Sequence, residues 1–172
     1  VHAMVDEQYR LYRDELVPAL AAEGVSILTP SELTAEQRAA GHAFFRSGVK
    51  PALTPLAIDP GHPFPHLRNK SLNLALVVYR PERRRRKPPK DGGSLAVVQV
   101  PAMLPRLVRL PAAQGRAYVL LEDLIAAHAA ELFPGWAVKQ AATAAFRVIR
   151  NWDLEIDEEE SEDLRVTIEG KL

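Results

Sequence analysis

The chain has 172 residues, 47% hydrophobic and 26% charged, and its 22 basic side chains balance 22 acidic ones to a formal net charge of zero. That length fits one domain with a single substantial core, and the balanced charge offers no global field for a nucleic acid or an anionic membrane. The absence of cysteine excludes disulfides, thiol catalysis and thiolate metal sites, and fits a reducing cytoplasm. No apolar run reaches the roughly 18 to 20 residues of a membrane span, and the N-terminus lacks the basic-then-apolar pattern of a secretory leader. The expectation is one cytoplasmic domain over 1–172, with a helical lead-in over 1–50 and a sheet with helices over 51–172.

In chain order, Val5, Tyr9, Tyr12, Leu16 and Leu20 recur at spacings of three and four, the apolar stripe of a helix. Pro18 should kink or break that helix near its end, and Gly24 offers a stop. Thr34 with Gln37 forms a capping-box pattern, which starts a second helix at Ala35 that runs to about Ser47. These two helices read as a surface helical hairpin.

From Leu53 to Ile58 the texture becomes strand-like, and Asp59-Pro60-Gly61 with Pro63 and Pro65 closes it in a turn. Leu56 and Ile58 are expected to be buried in the sheet. Leu72–Tyr79 and Ser94–Val100 flank a polar loop, Pro81–Gly93, and read as an antiparallel hairpin. Both faces of these strands are largely apolar, which predicts central strands covered on both sides. Shorter strands are expected at Arg106–Leu110 and Ala117–Leu121, a helix over Glu122–Phe133 ended by Pro134-Gly135, and a strand over Ala144–Asn151. An acidic helix start is expected at Asp157, running to about Arg165, since carboxylates favour a helix N-terminus. The class is α+β: an N-terminal helical hairpin followed by a mostly antiparallel sheet with flanking helices.

The motifs that carry chemistry are few. The five histidines are His2, His42, His62, His66 and His128. His62 and His66 are spaced like helical metal ligands, but Pro63 and Pro65 forbid the helix, and a zinc site needs three or four convergent ligands. No metal site is therefore assigned, and His128 is expected on the surface or partly buried. Neither a phosphate loop, a dinucleotide fingerprint, a nucleophile elbow nor a His-Glu-x-x-His pair occurs, and Gly92-Gly93 reads as a hairpin turn. The sharpest feature is Arg83, Arg84, Arg85, Arg86, Lys87 and Lys90, six cations on one loop. Such a run could hold a polyanion through guanidinium–phosphate contacts; a solvated loop tip that keeps a strand edge soluble is the favoured reading. Asp157–Glu160 is read as a helix start in preference to a divalent-metal cluster.

One segment is more specific than any of these. Leu53-Thr54-Pro55-Leu56-Ala57-Ile58-Asp59-Pro60-Gly61-His62-Pro63-Phe64-Pro65, followed by Asn69-Lys70-Ser71-Leu72-Asn73-Leu74-Ala75, resembles the middle, or head, domain of the polyphosphate kinases. Further blocks follow in the family's order: Val100-Pro101, Leu110-Pro111, Leu120–Ile125, Leu132–Gly135, Phe146–Asn151 and Asp157–Glu160. The likeness runs from about Gln8 to Leu164. Arg68, Lys70 and the ring of Trp152 depart from the family pattern.

The resemblance implies a piece of an enzyme that reversibly transfers the terminal phosphate of ATP to polyphosphate, through a phosphohistidine and with magnesium. Its histidine lies in C-terminal phospholipase-D-like domains that the 172 residues do not include, so no catalytic residue is carried over and no cofactor is expected in this chain. The head domain of the family takes part in dimer contacts. The partners implied are the remaining kinase domains, a second copy of the enzyme and polyphosphate. Nucleic acid is disfavoured by the zero net charge and the 6% aromatic content. Two functions from different classes remain: a non-catalytic scaffold domain of the kinase, or a stand-alone polyanion-binding module using Arg83–Lys90.

Overall fold

The computed structural model describes residues 2–58, 65–79, 93–139 and 143–149. The basic loop over 83–90, the turn at Asp59–Phe64, Trp152 and the acidic helix expected from Asp157 lie outside the described residues.

The first helix runs as α1 (His2–Leu11), a π turn (Tyr12–Leu16) and α2 (Val17–Ala22). A second helical stretch comprises α3 (Ala35–Phe44), a π turn (Phe45–Val49) and a short 3-10 turn (Lys50–Ala52). Both π turns stand just ahead of a proline, Pro18 and Pro51. Proline lacks an N–H and its ring crowds the carbonyl four residues back; a widened turn beforehand relieves that crowding, so neither proline ends its helix outright.

The capping box of α3 is fully formed. Thr34 Oγ1 accepts from the Gln37 N–H at 3.2 Å, and Gln37 Oε1 accepts from the Thr34 N–H at 3.0 Å. The Gln37 amide nitrogen also donates to the Pro111 carbonyl at 2.9 Å, which ties the start of α3 to the smaller sheet.

Between the two helical stretches lies a strand absent from the sequence reading, β1 (Val25–Leu28). It pairs in parallel with β6 (Arg116–Leu120), which pairs antiparallel with β5 (Leu107–Leu110), so the first sheet has the order β1-β6-β5. The second sheet has five strands: β2 (Pro55–Ile58), β4 (Ser94–Gln99), β3 (Leu72–Tyr79) and β7 (Ala137–Val138) in that order, with β8 (Ala144–Arg147) also pairing β3. All its pairings are antiparallel. Helices lead and flank a mostly antiparallel sheet, and the α+β class stands.

One core joins both sheets to α3 and to α4 (Leu121–Ala127). Phe45, Val49, Leu76, Val78, Val98, Val119 and Ile125 are fully enclosed in it. In β3 the residues Leu74, Leu76 and Val78 face this core, whereas Ala75, Val77 and Tyr79 on the other face are only half-buried. The expected cover on both sides of the hairpin is thus complete on one side only. Leu95 of β4 is exposed for the same reason.

Other details differ from the sequence reading. The strand β2 forms, but Leu56 is 42% exposed, because β2 is an edge strand and Leu56 faces away from the core. The helix expected over Glu122–Phe133 breaks at His128 (φ −107°, ψ 13°) and resumes as a 3-10 turn, Ala129–Leu132. The stripe of the first helix is also not buried: Val5, Tyr9, Tyr12 and Leu16 are all exposed.

Candidate functional site

The basic run Arg83–Lys90 between β3 and β4, weighed as a polyanion contact and favoured as a solvated loop tip, lies outside the described residues. A different set of cations is brought together at the opposite end of the same strands. Arg68 and Lys70 precede β3, Arg147 ends β8, and Arg106 precedes β5; all four line a groove of about 280 Å³.

The groove is built by local backbone chemistry. Ser71 closes the turn after the proline-rich segment: its N–H and its Oγ both donate to the Arg68 carbonyl, at 3.1 and 2.7 Å. Lys70 takes a left-handed conformation, φ 61°, which glycine or asparagine adopts more readily than lysine. Two bonds hold it there. The Lys70 N–H donates to the Val148 carbonyl at 2.8 Å, and Arg147 Nη1 donates to the Lys70 carbonyl at 2.8 Å. The segment 68–71 is therefore fixed to β8, with its cationic side chains exposed.

Arg106 approaches from the smaller sheet. Its Nε and Nη2 both donate to Oε1 of Glu122, at 2.9 and 2.5 Å. Glu122 is buried, while over half of the Arg106 side chain remains exposed. The hydrogen bond to Glu122 raises the Arg106 pKa, against burial, so the guanidinium is permanently charged. Among the described residues no acidic side chain lines the groove, and Asn69, Ser71 and Gln99 supply its neutral polar groups. Exposed guanidinium and ammonium groups around a shallow trough, with one guanidinium steadied from behind, suit an extended chain of phosphates.

Arg68 and Lys70 were legible only as departures from a family pattern. Arg106 and Arg147 were not singled out at all, since nothing in their sequence spacing shows that β5 begins and β8 ends beside the same turn. Behind the turn, Asn73 is fully buried, its Nδ2 donating to the Ser71 carbonyl and to Ser71 Oγ, both at 3.0 Å.

Of the described histidines, His66 is exposed beside the groove and His2 is exposed on α1. His42 and His128, far apart in sequence, stack with ring centroids 4.9 Å apart. His128 is partly buried, as expected. No described helix is long and apolar enough to cross a membrane.

The fold and these sequence blocks have close parallels. The family profile described as "Polyphosphate kinase middle domain" matches residues 36–172. The chain is 40% identical over 172 residues to a polyphosphate kinase of Bacillus cereus and 44% identical over 161 residues to one of Streptomyces coelicolor. These alignments take in 99% and 94% of the chain, but only 24% and 20% of the two relatives. The crystal structure of the Porphyromonas gingivalis polyphosphate kinase superposes with a TM-score of 0.74 at 28% identity, covering 85% of this chain and 22% of that one. The chain thus spans about a quarter of the length of the relatives it matches, and it belongs to the polyphosphate kinase family, as that family's middle domain.

Proposed function

We propose that the domain serves a polyphosphate kinase as a non-catalytic scaffold that also touches the phosphate chain. The parent reaction is the reversible transfer of the terminal phosphate of ATP to polyphosphate, with magnesium and ATP bound by other domains. Those domains and a second copy of the enzyme are its partners, in the cytoplasm. The observation that carries the phosphate contact is the groove bearing Arg68, Lys70, Arg106 and Arg147, with no acidic lining residue among those described. Phosphoryl transfer needs a nucleophile, metal and several cations fixed around one phosphorus; a trough of exposed cations supplies grip and no nucleophile.

The alternative binder is the loop Arg83, Arg84, Arg85, Arg86, Lys87 and Lys90, acting as a stand-alone polyanion module. Polyphosphate affinity of the chain at low and high salt separates the two. The double variant Arg68→Ser, Lys70→Gly removes two groove charges and relieves the left-handed strain at position 70. On the groove reading it weakens binding several-fold at low salt and the difference shrinks at high salt. If changing Arg83–Arg86 to serine abolishes binding and the groove variant does not, the loop is the binder. Magnesium-dependent ATP turnover by the chain alone, lost on changing one histidine, would overturn the scaffold assignment.

A further inference from the structure

We propose that His42, His128 and Glu131 form a binding site for one divalent transition metal ion of borderline softness, such as Zn²⁺ or Co²⁺. The site is independent of the cationic groove and of the magnesium of the parent reaction.

The three side chains come from two elements. His42 lies on α3, while His128 sits at the break after α4 and Glu131 three residues on, in the 3-10 turn. The break is what aims them together. The His128 N–H donates to the Leu124 and Ile125 carbonyls at 3.3 and 3.1 Å, and the Glu131 N–H donates to the His128 carbonyl at 3.0 Å. This fixes the backbone of both residues. Phe45 then packs its ring against His128, centroids 4.8 Å apart, and limits how that imidazole can turn.

The ligand atoms converge. Oε1 of Glu131 is 2.8 Å from His42 Nε2 and 3.8 Å from His128 Nδ1, and one nitrogen or oxygen from each residue lies within 4.8 Å of the others. Around a tetrahedral zinc ion, with bonds of roughly 2.0–2.2 Å, neighbouring ligand atoms are about 3.3 Å apart. The two distances from Glu131 straddle that value, and the two imidazole nitrogens lie within 4.8 Å of each other, so binding an ion draws the rings together by up to about 1.5 Å.

The carboxylate is divided in a way that suits a ligand. Its Oε1 faces the two imidazoles, while Oε2 faces Arg46 Nε at 3.8 Å and Lys50 Nζ at 3.7 Å. Oriented carboxylate ligands commonly have such outer partners on their second oxygen. Burial raises the Glu131 pKa, but the hydrogen bond from His42 and the charges of Lys50 and Arg46 act against it, and the net direction is down. Burial, with the nearby His42, lowers the His128 pKa and favours the neutral imidazole that a metal requires.

Two imidazoles and one carboxylate select zinc, cobalt or nickel over magnesium, which takes oxygen ligands in octahedral geometry. Beside the three ligands opens a cleft of about 420 Å³ lined by Leu33, Ala39, Val119 and Leu124, with Arg38 at its side. His42 and His128 themselves line this cleft, which has room for a water or a small anion as a fourth ligand. A bound ion would clamp α3 to the turn after α4.

The test is Zn²⁺ competition against a chromophoric chelator and the visible absorption of bound Co²⁺, on the untagged 172-residue chain. The expected result is one ion per chain with the intense bands of a tetrahedral cobalt site, unaffected by excess Mg²⁺, and a melting temperature raised by zinc. His42→Gln, His128→Gln and Glu131→Gln should each weaken Zn²⁺ binding by roughly a hundredfold. His66→Gln should leave it unchanged. Because His128 also packs in the fold, the half-exposed Glu131→Gln and His42→Gln decide the question, with circular dichroism confirming that they fold. Undiminished binding in both, or no stoichiometric binding by the unaltered chain, overturns the site.

Discussion

Arg106 and Glu122 are joined by two hydrogen bonds to a single oxygen, Glu122 Oε1, while the second oxygen, Oε2, is buried with no hydrogen-bond partner among the described residues. The guanidinium is the carboxylate's charged partner there. Removing it in Arg106→Ala leaves a buried negative charge uncompensated and should cost about 2 kcal/mol of stability. Arg106→Lys restores the charge without the paired donors and should fall between the two. Urea denaturation of the three proteins checks the order.

Asp123, next in sequence, gives a pH signature. Burial raises its pKa, the Glu122 charge adds to that, and Arg106 offsets part of it. With the folded value above the unfolded one, the group contributes nothing at pH values below both. As pH rises past the unfolded value, the unfolded chain loses its proton first, and stability falls until the folded group has also ionised. The melting temperature of Asp123→Asn, relative to the parent, should therefore climb as pH rises from below the ordinary aspartate value of about 4 to well above it. The trend is the readout, because Asp123 also sits in the first turn of α4, where a negative charge is favourable at any pH that ionises it. A flat difference would contradict the assignment.

Gly24 and Gly115 meet where the first helix ends and the β5–β6 turn ends, both at positive φ, and the Arg116 N–H donates to the Gly24 carbonyl at 2.7 Å. A Cβ on Gly115 would press into the Gly24 carbonyl oxygen. Gly135 also has positive φ, but a Cβ there would meet nothing within 4 Å. Gly135→Ala should cost only the conformational strain, about 1–2 kcal/mol. Gly115→Ala should cost clearly more. Equal losses in thermal or urea unfolding would show that the close approach of the two backbone segments relaxes freely.

The first helix buries no residue in this domain, although Tyr9 and Leu16 belong to a regular apolar stripe. Tyr9→Ala and Leu16→Ala should therefore change the stability of the chain by less than about 0.5 kcal/mol. For contrast, Phe45→Ala at a fully enclosed position should cost about 3–5 kcal/mol. Denaturant midpoints measured side by side test the contrast.

The sequence carried most of the local structure. The Thr34–Gln37 box started α3 where the pattern placed it, and Leu72–Tyr79 formed over the expected span, because capping and strand alternation are encoded within a few residues. Burial was less legible. The alternation around Leu56 shows that a strand exists, not that it lies at a sheet edge with one face open. The short strand β1 escaped because four residues hold no periodicity and its partner, β6, is remote in sequence. The cationic groove was half visible: Arg68 and Lys70 stood out in a motif, while Arg106 and Arg147 reach it only through the packing of separate strands. His42 and Glu131 are brought within hydrogen-bonding distance by packing that no local spacing encodes.

The parallel pairing of β1 with β6 also bears on the order in which the chain acquires its structure. Val25 lies opposite Arg116, so the whole β3–β4 hairpin intervenes in sequence before β1 can find its place. The β5–β6 hairpin closes a short loop and needs no such wait. During synthesis, β1 therefore docks only after β6 has emerged, onto an edge that the β5–β6 hairpin supplies. Once docked, it is easily shed: four residues on the rim of a small sheet, followed back along the chain by a helix that buries nothing. Amide protons of β1 should exchange with solvent through a local opening that leaves β3 and β4 protected, making this end of the domain its first to breathe.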